Sequence, residues 1–336
     1  MKKPFPIGAI IFGVLLCAFT TYVMLDMFVI VRPMQTNATE MNLALFENVA
    51  TPTPTDTPTP TPVTVKDPDA TPTPEVTSTP TPTPTPSMFS EKVVSTDTFY
   101  SNDHMAIQIS EYREHNTQIH VAEVWVSSPQ YIYTAFAQDA FGRNVYDTTS
   151  NMAKAKGAVF AINGDNYGSR EGGYVIRNGV LYRSKKYQQT SRDVLCLMAN
   201  GEFVFSSCYL ATADDLLELG TWQAWTFGPV LVDDYEIKVD VNSEVDLCFV
   251  TNPRTAIGLI EPLHYVFLVA DGRTEKSHGL SLYQVADFMK RYGCKDVYNL
   301  DGGGSSTMVF QGKIINFPTS YGSWYEKEVT DIVYMR

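Results

Sequence analysis

One short stretch combines an acid, three glycines and three hydroxyl side chains: residues 299–309, NLDGGGSSTMV. Each glycine costs backbone entropy on folding, so three in a row are expected where a side chain would block a positive φ or the close approach of a ligand. Free backbone amides and neighbouring hydroxyls can hold an anionic oxygen. The predicted anion-binding residues are Gly302, Gly303, Gly304, Ser305, Ser306 and Thr307. Asp301 directly precedes them, which indicates chemistry at a bond next to the anion; a tight turn leading into a strand at 307–310 is the alternative.

Two other polar loops also follow apolar, strand-like runs. The run 158–162 leads into Asn163 and Asp165, and the run 265–270 leads into Asp271 and Arg273. If these strands lie beside the one that precedes Asp301, their ends would gather the three acids and the arginine at one rim of a sheet.

Four segments together resemble the phosphodiester glycosidase family. They are AINGD at 161–165, NPRTAIG at 252–258, ADGR at 270–273 with SHGLSL at 277–282, and NLDGGGSST at 299–307. Their order and spacing also agree with that family, and the resemblance runs from about residue 158 to the C-terminus. It implies hydrolysis of a sugar–phosphate diester at the anomeric carbon, which releases a free sugar and a phosphomonoester.

The implied reaction suggests roles for the charged residues. Because the leaving group is already a phosphate, stabilising the anion and the oxocarbenium-like centre matters more than a strong general acid. Arg254 and Arg273 could clamp phosphate oxygens in bidentate fashion. The nucleophile, or the base that activates water, could be Asp301, Asp271 or Asp165, with Asp301 the first choice.

The remaining site residues have plainer alternatives. Asn163 could bind a sugar hydroxyl or cap a turn, and His278 could contact substrate or be a solvated loop residue. Trp222, Trp225 and Trp324 could stack on sugar faces or pack in the core.

One position departs from the family pattern. Relatives tend to carry Arg-Pro-Val after a glutamate near the end of the domain, whereas this chain has EKEV at 326–329. Lys327 is a poorer bidentate partner for a phosphate than arginine would be. The identity of the substrate is therefore left open.

The sequence identifies no cofactor and leaves a metal requirement open, since its acid-rich loops would permit a hard cation such as Ca²⁺. It contains no EF-hand spacing and no C-x-x-C or H-E-x-x-H cluster, so neither an EF-hand nor a zinc site is predicted.

Two functions compete with a glycosidase. A non-catalytic module that binds cell-wall polysaccharide or exopolysaccharide could use the same loops. A serine acyl hydrolase built on Ser305 is disfavoured because the chain has neither a G-x-S-x-G elbow nor an S-x-x-K motif. A P-loop enzyme is excluded because no G-K-[ST] follows the glycines.

The N-terminal region predicts a membrane-anchored protein, and the family resemblance together with the Thr-Pro stalk implies a bacterial surface. The apolar run 7–31 is long enough to cross a bilayer, and Lys2 and Lys3 would keep the N-terminus inside the cell. Residues 1–32 are thus predicted as a signal-anchor, with a cleaved signal peptide as the alternative. Residues 33–87, rich in Thr-Pro repeats, are predicted as a disordered extracellular linker, and 88–336 as the catalytic domain.

The net charge of −12 argues against a nucleic-acid partner, because no basic stripe is available to neutralise phosphates. Four cysteines lie in the exported part, and an Asn200-Gly201 turn would place Cys196 opposite Phe205 and Cys208 on the other face. The cysteines are therefore predicted to be reduced and mostly buried. The oligomeric state is not predicted.

The fold class is predicted as α+β, with mostly β sheets and a few packed helices. Strands are predicted at 119–126 and 131–136, and a second Asn-Gly hairpin spans 173–182. Helices are predicted at 149–155, 212–219 and 281–292, the last ending at Gly293 as a C-cap.

Overall fold

The described part of the chain is mostly β structure with few helices, as predicted. The structure is a computed structural model, and it describes residues 7–28, 30–33, 39–46, 88–186, 193–243, 251–320 and 322–336. Within these residues the α-helices are α1 (Ile7–Phe28), α2 (Thr149–Lys156), α3 (Ala213–Glu218) and α4 (Leu282–Tyr292). Short 3₁₀ turns occur at Leu43–Phe46, Pro129–Tyr131, Ala137–Asp139, Tyr167–Ser169 and Gly303–Ser305.

Three antiparallel sheets form the body of the domain. The nine-stranded sheet has the order Glu236–Ile237, Val230–Asp233, Asp296–Asn299, Arg254–Glu261, His264–Ala270, Thr117–Val126, Met105–Glu114, Phe99–Ser101, Val94–Ser95. The six-stranded sheet has the order Phe203–Ser207, Asp193–Met198, Thr221–Trp225, Gly173–Arg177, Val180–Lys185, Thr39–Glu40. The five-stranded sheet has the order Lys313–Ile314, Met308–Phe310, Phe160–Asn163, Asp331–Met335, Tyr133–Phe136.

Three two-stranded pairs complete the described strands. They are Arg32–Pro33 with Gly142–Arg143, Thr319–Ser320 with Ser323–Trp324, and Asp147–Thr148 with Glu328–Val329.

The central strands of the nine-stranded sheet are buried on both faces, to which successive residues of a strand point alternately. In His264–Ala270, the odd-numbered residues from 265 to 269 join the apolar cluster shared with the other two sheets. The even-numbered residues from 266 to 270 join a second cluster, with the apolar face of α4. The sheet therefore lies between α4 on one side and the smaller sheets on the other.

The helices α2, α3 and α4 form where the sequence predicts them. Thr148, Thr212 and Ser281 cap their N-termini through side-chain oxygens, and Gly157 and Gly293 end α2 and α4 in the left-handed conformation. These ends are fixed by local chemistry, which explains why the sequence pattern located them.

Two strand predictions need correction in detail. The strands Thr117–Val126 and Tyr133–Phe136 flank a turn as predicted, but they lie in different sheets. The Asn200-Gly201 hairpin forms with an extra residue in its loop, since Gly201 has φ 87° and donates to Met198 O at 2.9 Å. Cys196 therefore lies opposite Val204, not Phe205.

Cys196, Cys208 and Cys294 are buried, and Cys196 and Cys294 carry free thiols. Burial raises the pKa of the Cys196 thiol to about 12, which keeps it protonated and unreactive. Cys248 lies outside the described residues.

Residues 39–46 differ from the linker predicted for 33–87. Thr39–Glu40 pairs with Val180–Lys185 as an edge strand, Met41 is buried, and the Phe46 ring contacts Trp222 edge-to-face at 5.3 Å between centroids. Apolar burial and main-chain pairing hold this segment on the domain even though it adjoins the Thr-Pro repeats. Those repeats lie outside the described residues, so the linker remains a prediction.

Helix α1 occupies most of the predicted anchor and has 22 residues. Among the described residues, no helix combines the length and the apolar character needed to cross a bilayer. The membrane anchor therefore also stays a prediction.

Candidate active site

Two of the three predicted loops meet at one edge of the nine-stranded sheet. Strand Arg254–Glu261 pairs with His264–Ala270 on one side and with Asp296–Asn299 on the other, antiparallel to both. The two outer strands are consequently parallel to each other and end at the same edge. Asp271 and Asp301, which follow these two outer strands, therefore flank the start of strand Arg254–Glu261 at this edge of the sheet.

The third loop arrives from another sheet, so the prediction of three neighbouring strands is wrong. Phe160–Asn163 lies in the five-stranded sheet. Its end nevertheless reaches the site, since Asn163 Nδ2 donates to Asp301 O at 2.6 Å and Asp301 N donates to Gly164 O at 3.3 Å. Packing between sheets produces the convergence that strand adjacency was expected to produce.

The glycines of these loops allow close approach to the Asn252-Pro253 backbone. A Cβ on Gly272 would lie 2.6 Å from Pro253 N, and one on Gly302 would lie 2.9 Å from Pro253 O. Gly303 has φ +61°, and its amide donates to Pro253 O at 2.8 Å. Any side chain here would push the loops apart.

The triple-glycine segment is a 3₁₀ turn and not a nest of three free amides. The Gly303 amide is used by Pro253, while the Gly302 amide faces the Asp301 carboxylate. Within the described structure, the Gly304 amide donates to no protein acceptor. Gly304 is partly exposed, so one open amide remains beside the acid.

Asp301 combines partial exposure with an unpartnered carboxylate oxygen. Its Oδ2 has no solvent contact and no hydrogen-bond partner. Burial raises the pKa of this carboxyl above its ordinary value, and the Lys327 charge, the Ser305 hydroxyl, Arg170 and the Gly302 amide act to lower it. A carboxylate that is incompletely bonded in this way can accept a proton or attack an electrophile.

Lys327 and Arg170 supply positive charge near Asp301, and neither is among the site residues predicted from the sequence. Lys327 Nζ donates to Ser305 Oγ at 3.1 Å. The Arg170 guanidinium stacks over the Phe227 ring at 4.6 Å. Lys327 was noted only as a departure from the family pattern, and Arg170 lies in no recognisable motif.

The two predicted phosphate-binding arginines occupy different environments. Arg254 is buried and its Nε donates to Leu280 O at 3.0 Å. Arg273 is exposed; its Nε and Nη2 donate to Asn252 Oδ1 at 3.1 and 2.9 Å, and its Nη2 lies 2.9 Å from where a Cβ on Gly303 would be. Arg273 is thus the arginine positioned to meet a ligand beside the triple-glycine turn.

Asp271 lies at the same edge but is partly used to hold a loop. Its Oδ1 accepts from Phe317 N at 2.8 Å and from Asn316 Nδ2 at 3.2 Å. Its Oδ2 lies 3.5 Å from Nε2 of the buried His120. Asn316 also donates to Ser306 O at 3.1 Å, which connects Asp271 to the triple-glycine turn.

Several predicted substrate-binding side chains bind the protein itself. Asn163 Oδ1 accepts from Thr255 Oγ1 at 2.9 Å and from Thr307 N at 3.3 Å. Thr255 Oγ1 also bonds Ser306 Oγ at 3.1 Å. The polar atoms of the Asn163 side chain are therefore occupied by the protein, and this side chain positions the Asp301 loop. The buried Thr307 Oγ1, by contrast, has no hydrogen-bond partner.

The structure does not bring the other predicted residues into this network. Asp165 is buried in an ion cluster, with Oδ1 2.7 Å from Arg177 Nη2 and Oδ2 accepting from Thr226 N at 2.9 Å. His278 has an exposed side chain. Trp222 and Trp225 are buried in the core, whereas Trp324 is exposed.

Within the described residues, no group of three or more histidine, cysteine, aspartate or glutamate side chains is arranged to hold a metal ion.

Comparison with known proteins identifies the family and supports the fold. Residues 156–336, more than half of the chain, match the model of the phosphodiester glycosidase family, and the protein belongs to that family.

Two curated relatives illustrate its range. The SPbeta prophage-derived uncharacterized protein YomE of Bacillus subtilis is 32% identical over 182 residues, which cover 52% of this chain and 28% of that protein. The human N-acetylglucosamine-1-phosphodiester alpha-N-acetylglucosaminidase is 27% identical over 172 residues, covering 51% of this chain and 28% of the human protein. The matched region is thus less than a third of either relative.

Two solved structures share the fold. The catalytic domain of the zebrafish N-acetylglucosamine-1-phosphodiester alpha-N-acetylglucosaminidase, auto-inhibited by its pro-peptide, has a TM-score of 0.55 at 21% identity and covers 69% of this chain and 82% of that chain. A hypothetical protein from Synechocystis has a TM-score of 0.51 at 13% identity and covers 70% of this chain and 63% of that chain.

Proposed function

We propose that this protein hydrolyses glycosyl phosphodiesters at the anomeric carbon. The main structural support is the Asp301 carboxylate. Its Oδ2 is buried without a hydrogen-bond partner, and the open Gly304 amide and the exposed Arg273 belong to the same site. Family membership supports the reaction class, because the human relative is named for action on N-acetylglucosamine-1-phosphodiesters.

The proposed chemistry follows from this arrangement. The bond between C1 of the sugar and the phosphate oxygen breaks, and its electron pair leaves with the phosphate. Arg273 and the Gly304 amide stabilise that developing negative charge. The Asp301 carboxylate attacks C1 directly or takes a proton from the water that does so, and in either case water supplies the hydroxyl of the released sugar.

Lys327 and Ser305 are assigned a positioning role. The ammonium holds the Ser305 hydroxyl, and both groups favour the ionised form of Asp301 against the effect of burial. Burial raises the pKa of the Asp301 carboxyl, and these two groups act against that shift.

The test uses the full chain, because residues 39–46 pack on the domain. Purified protein is incubated with glycosyl-1-phosphodiesters, beginning with N-acetylglucosamine-α-1-phosphate esters, with and without Ca²⁺, and released sugar is measured. Release by the wild type and by the exposed-acid control Asp97→Asn, with none by Asp301→Asn, is the expected result. Ligand binding without sugar release across the whole panel would instead favour the polysaccharide-binding module.

We further propose that the domain acts outside the cell on a phosphorylated surface glycan, a teichoic-acid-like polymer or an exopolysaccharide. The apolar run at 7–31 after Lys2 and Lys3, and the Thr-Pro repeats that follow it, support a single-pass anchor with an extracellular domain. Protease treatment of intact cells should cleave the domain from the membrane fraction. Protection of the domain until the cells are lysed would contradict this orientation.

A further inference from the structure

A cleft of about 700 Å³ lies beside the candidate active site. Residues of its lining include Arg113, Gln118, Asp271, Arg273, Lys276 and Phe317. A volume of this size is in the range of ligand-binding pockets, about 300–1,000 Å³. Arg273 lines this cleft and also lies against the triple-glycine turn, so it connects the cleft with the turn that follows Asp301.

One wall of the cleft comes from outside the region that matches the family model. The hairpin of Met105–Glu114 and Thr117–Val126 supplies Arg113 and Gln118, whereas the match begins at residue 156. Arg113 Nη2 donates to Lys276 O at 2.7 Å. The Gln118 backbone N–H donates to Ser277 Oγ at 2.9 Å, and the Asp271 backbone N–H donates to the Gln118 carbonyl oxygen at 3.0 Å. The hairpin is thus fastened along the loop that follows Asp271.

The cleft is locally cationic although the whole chain has a net charge of −12. Arg113, Arg273 and Lys276 line it and are exposed. The lining also contains two acids, the exposed Glu275 and the buried Asp271, so its three cations leave a net positive charge. One carboxylate oxygen of Asp271 is bound to the Asn316-Phe317 segment. A cluster of positive side chains in an acidic protein favours an anionic ligand.

We propose that this cleft binds a second phosphate of a repeating glycosyl-phosphate polymer while Arg273 holds the phosphate at the scissile bond. This inference rests on the proposed hydrolase function and narrows its substrate class to polymers with more than one phosphodiester. Arg113 and Lys276 are the specificity-determining residues. Phe317, which is 43% exposed, contacts the unit between the two phosphates.

The test measures binding separately from turnover. The probes are the N-acetylglucosamine-α-1-phosphate ester of glycerol and the same compound extended by one glycerol-phosphate unit. Calorimetry on the full-length Asp301→Asn protein, which does not consume the ligand, should give a Kd about three- to tenfold lower for the extended probe. The Kd ratio, defined as the Kd of the short probe divided by the Kd of the extended probe, should approach one in high salt, because exposed charges are screened.

Reversing one charge in the cleft tests whether the cleft causes the tighter binding of the extended probe. Lys276→Glu in the Asp301→Asn background should reduce the Kd ratio to about one or below. The matched control Lys290→Glu reverses an exposed lysine on α4 and should keep the full ratio. Equal Kd values for the two probes, or a ratio that survives Lys276→Glu, would overturn the proposal.

The outcomes distinguish this inference from the proposed reaction. If the extended probe binds more tightly but wild-type protein releases sugar from neither probe, the cleft assignment stands and the hydrolase function fails. If both probes are hydrolysed with the same kcat/KM and the same Kd, the hydrolase function stands and the second phosphate site is absent.

Discussion

The Asp165–Asp331 pair and Asp301 lie on either side of Gly164, and they differ in how completely their carboxylates are bonded. On one side, Asp165 and Asp331 share the Arg177 guanidinium at 2.7 and 2.9 Å. On the other side, Asp301 retains an oxygen without any partner. The Gly164 amide donates to Asp331 O at 2.9 Å, and the Gly164 carbonyl accepts from Asp301 N at 3.3 Å, so the backbone of this one residue joins the two segments.

Burial raises the pKa of a carboxyl in both groups, but the consequences differ. Asp331 has its pKa raised to about 7 by burial and by the neighbouring Asp165, against the opposing effect of Arg177. It is fully buried and bonded, so no ligand can reach it. Asp301 is also shifted upward, yet it lies in a partly exposed loop with cations around it. The comparison shows that Asp301 differs from Asp331 in its unmet bonding and not in the direction of its pKa shift.

The largest effect is expected at Asp301. Asp301→Asn keeps the shape of the side chain but removes its ability to act as a nucleophile or base, so kcat should fall by about 10²- to 10⁴-fold. Thermal unfolding should change little, because Oδ2 makes no hydrogen bond in the protein. Sugar release and a thermal melt of the same sample measure both quantities, and unchanged turnover would remove Asp301 from the mechanism.

Breaking the other group should affect stability first. Arg177→Met leaves Asp165 and Asp331 buried without their cation, and removal of one partner from a buried ion cluster costs about 3–5 kcal/mol of unfolding free energy. Denaturant unfolding measures this loss. The control Arg143→Met removes an exposed pair with Glu171 and should cost less than about 1 kcal/mol. Similar small losses for both variants would contradict the structural role of the cluster.

The raised pKa of Asp331 makes its contribution to stability depend on pH. A carboxyl whose pKa is higher in the folded state binds protons more tightly there, so its stabilising contribution is complete below about pH 4 and is lost as the pH rises through about 7. Unfolding free energies measured from pH 4 to 8 should show this loss in the wild type. Asp331→Asn, which cannot titrate, should flatten the slope relative to the surface control Asp97→Asn.

The smallest effect is expected from the exposed cation beside Asp301. Lys327→Gln removes a charge that lowers the pKa of Asp301, so the acidic limb of the kcat/KM profile should move to higher pH. At the optimum, kcat/KM should fall by less than about tenfold, because an exposed charge contributes about 1 kcal/mol or less. Lys290→Gln serves as the control, and an acidic limb that coincides with that of the wild type would exclude Lys327 as a positioning residue.

Much of the site was predictable because its chemistry is concentrated in short motifs. Asp301 and the three glycines form one uninterrupted segment, and Asp271 and Arg273 flank a single glycine. The contributions of Lys327 and Arg170 were not predictable, since each lies far along the chain from Asp301 and only tertiary packing brings it near. The sequence also left two roles open for Asn163, because whether an amide faces substrate or protein depends on neighbours such as Thr255 and Thr307.

The sequence by itself determined the elements whose causes are local: the capped helices, the Asn-Gly turns, the mostly β character and the loops in which glycines adjoin acids. Only the tertiary structure decided that Asp165 pairs with Arg177 while Asp301 stays open, although both acids follow strand-like runs with glycine beside them. The reason is physical. Hydrogen bonds within a turn depend on a few neighbouring residues, whereas the partners, burial and pKa of an acid depend on groups that may be more than a hundred residues away, such as Arg177 and Asp331.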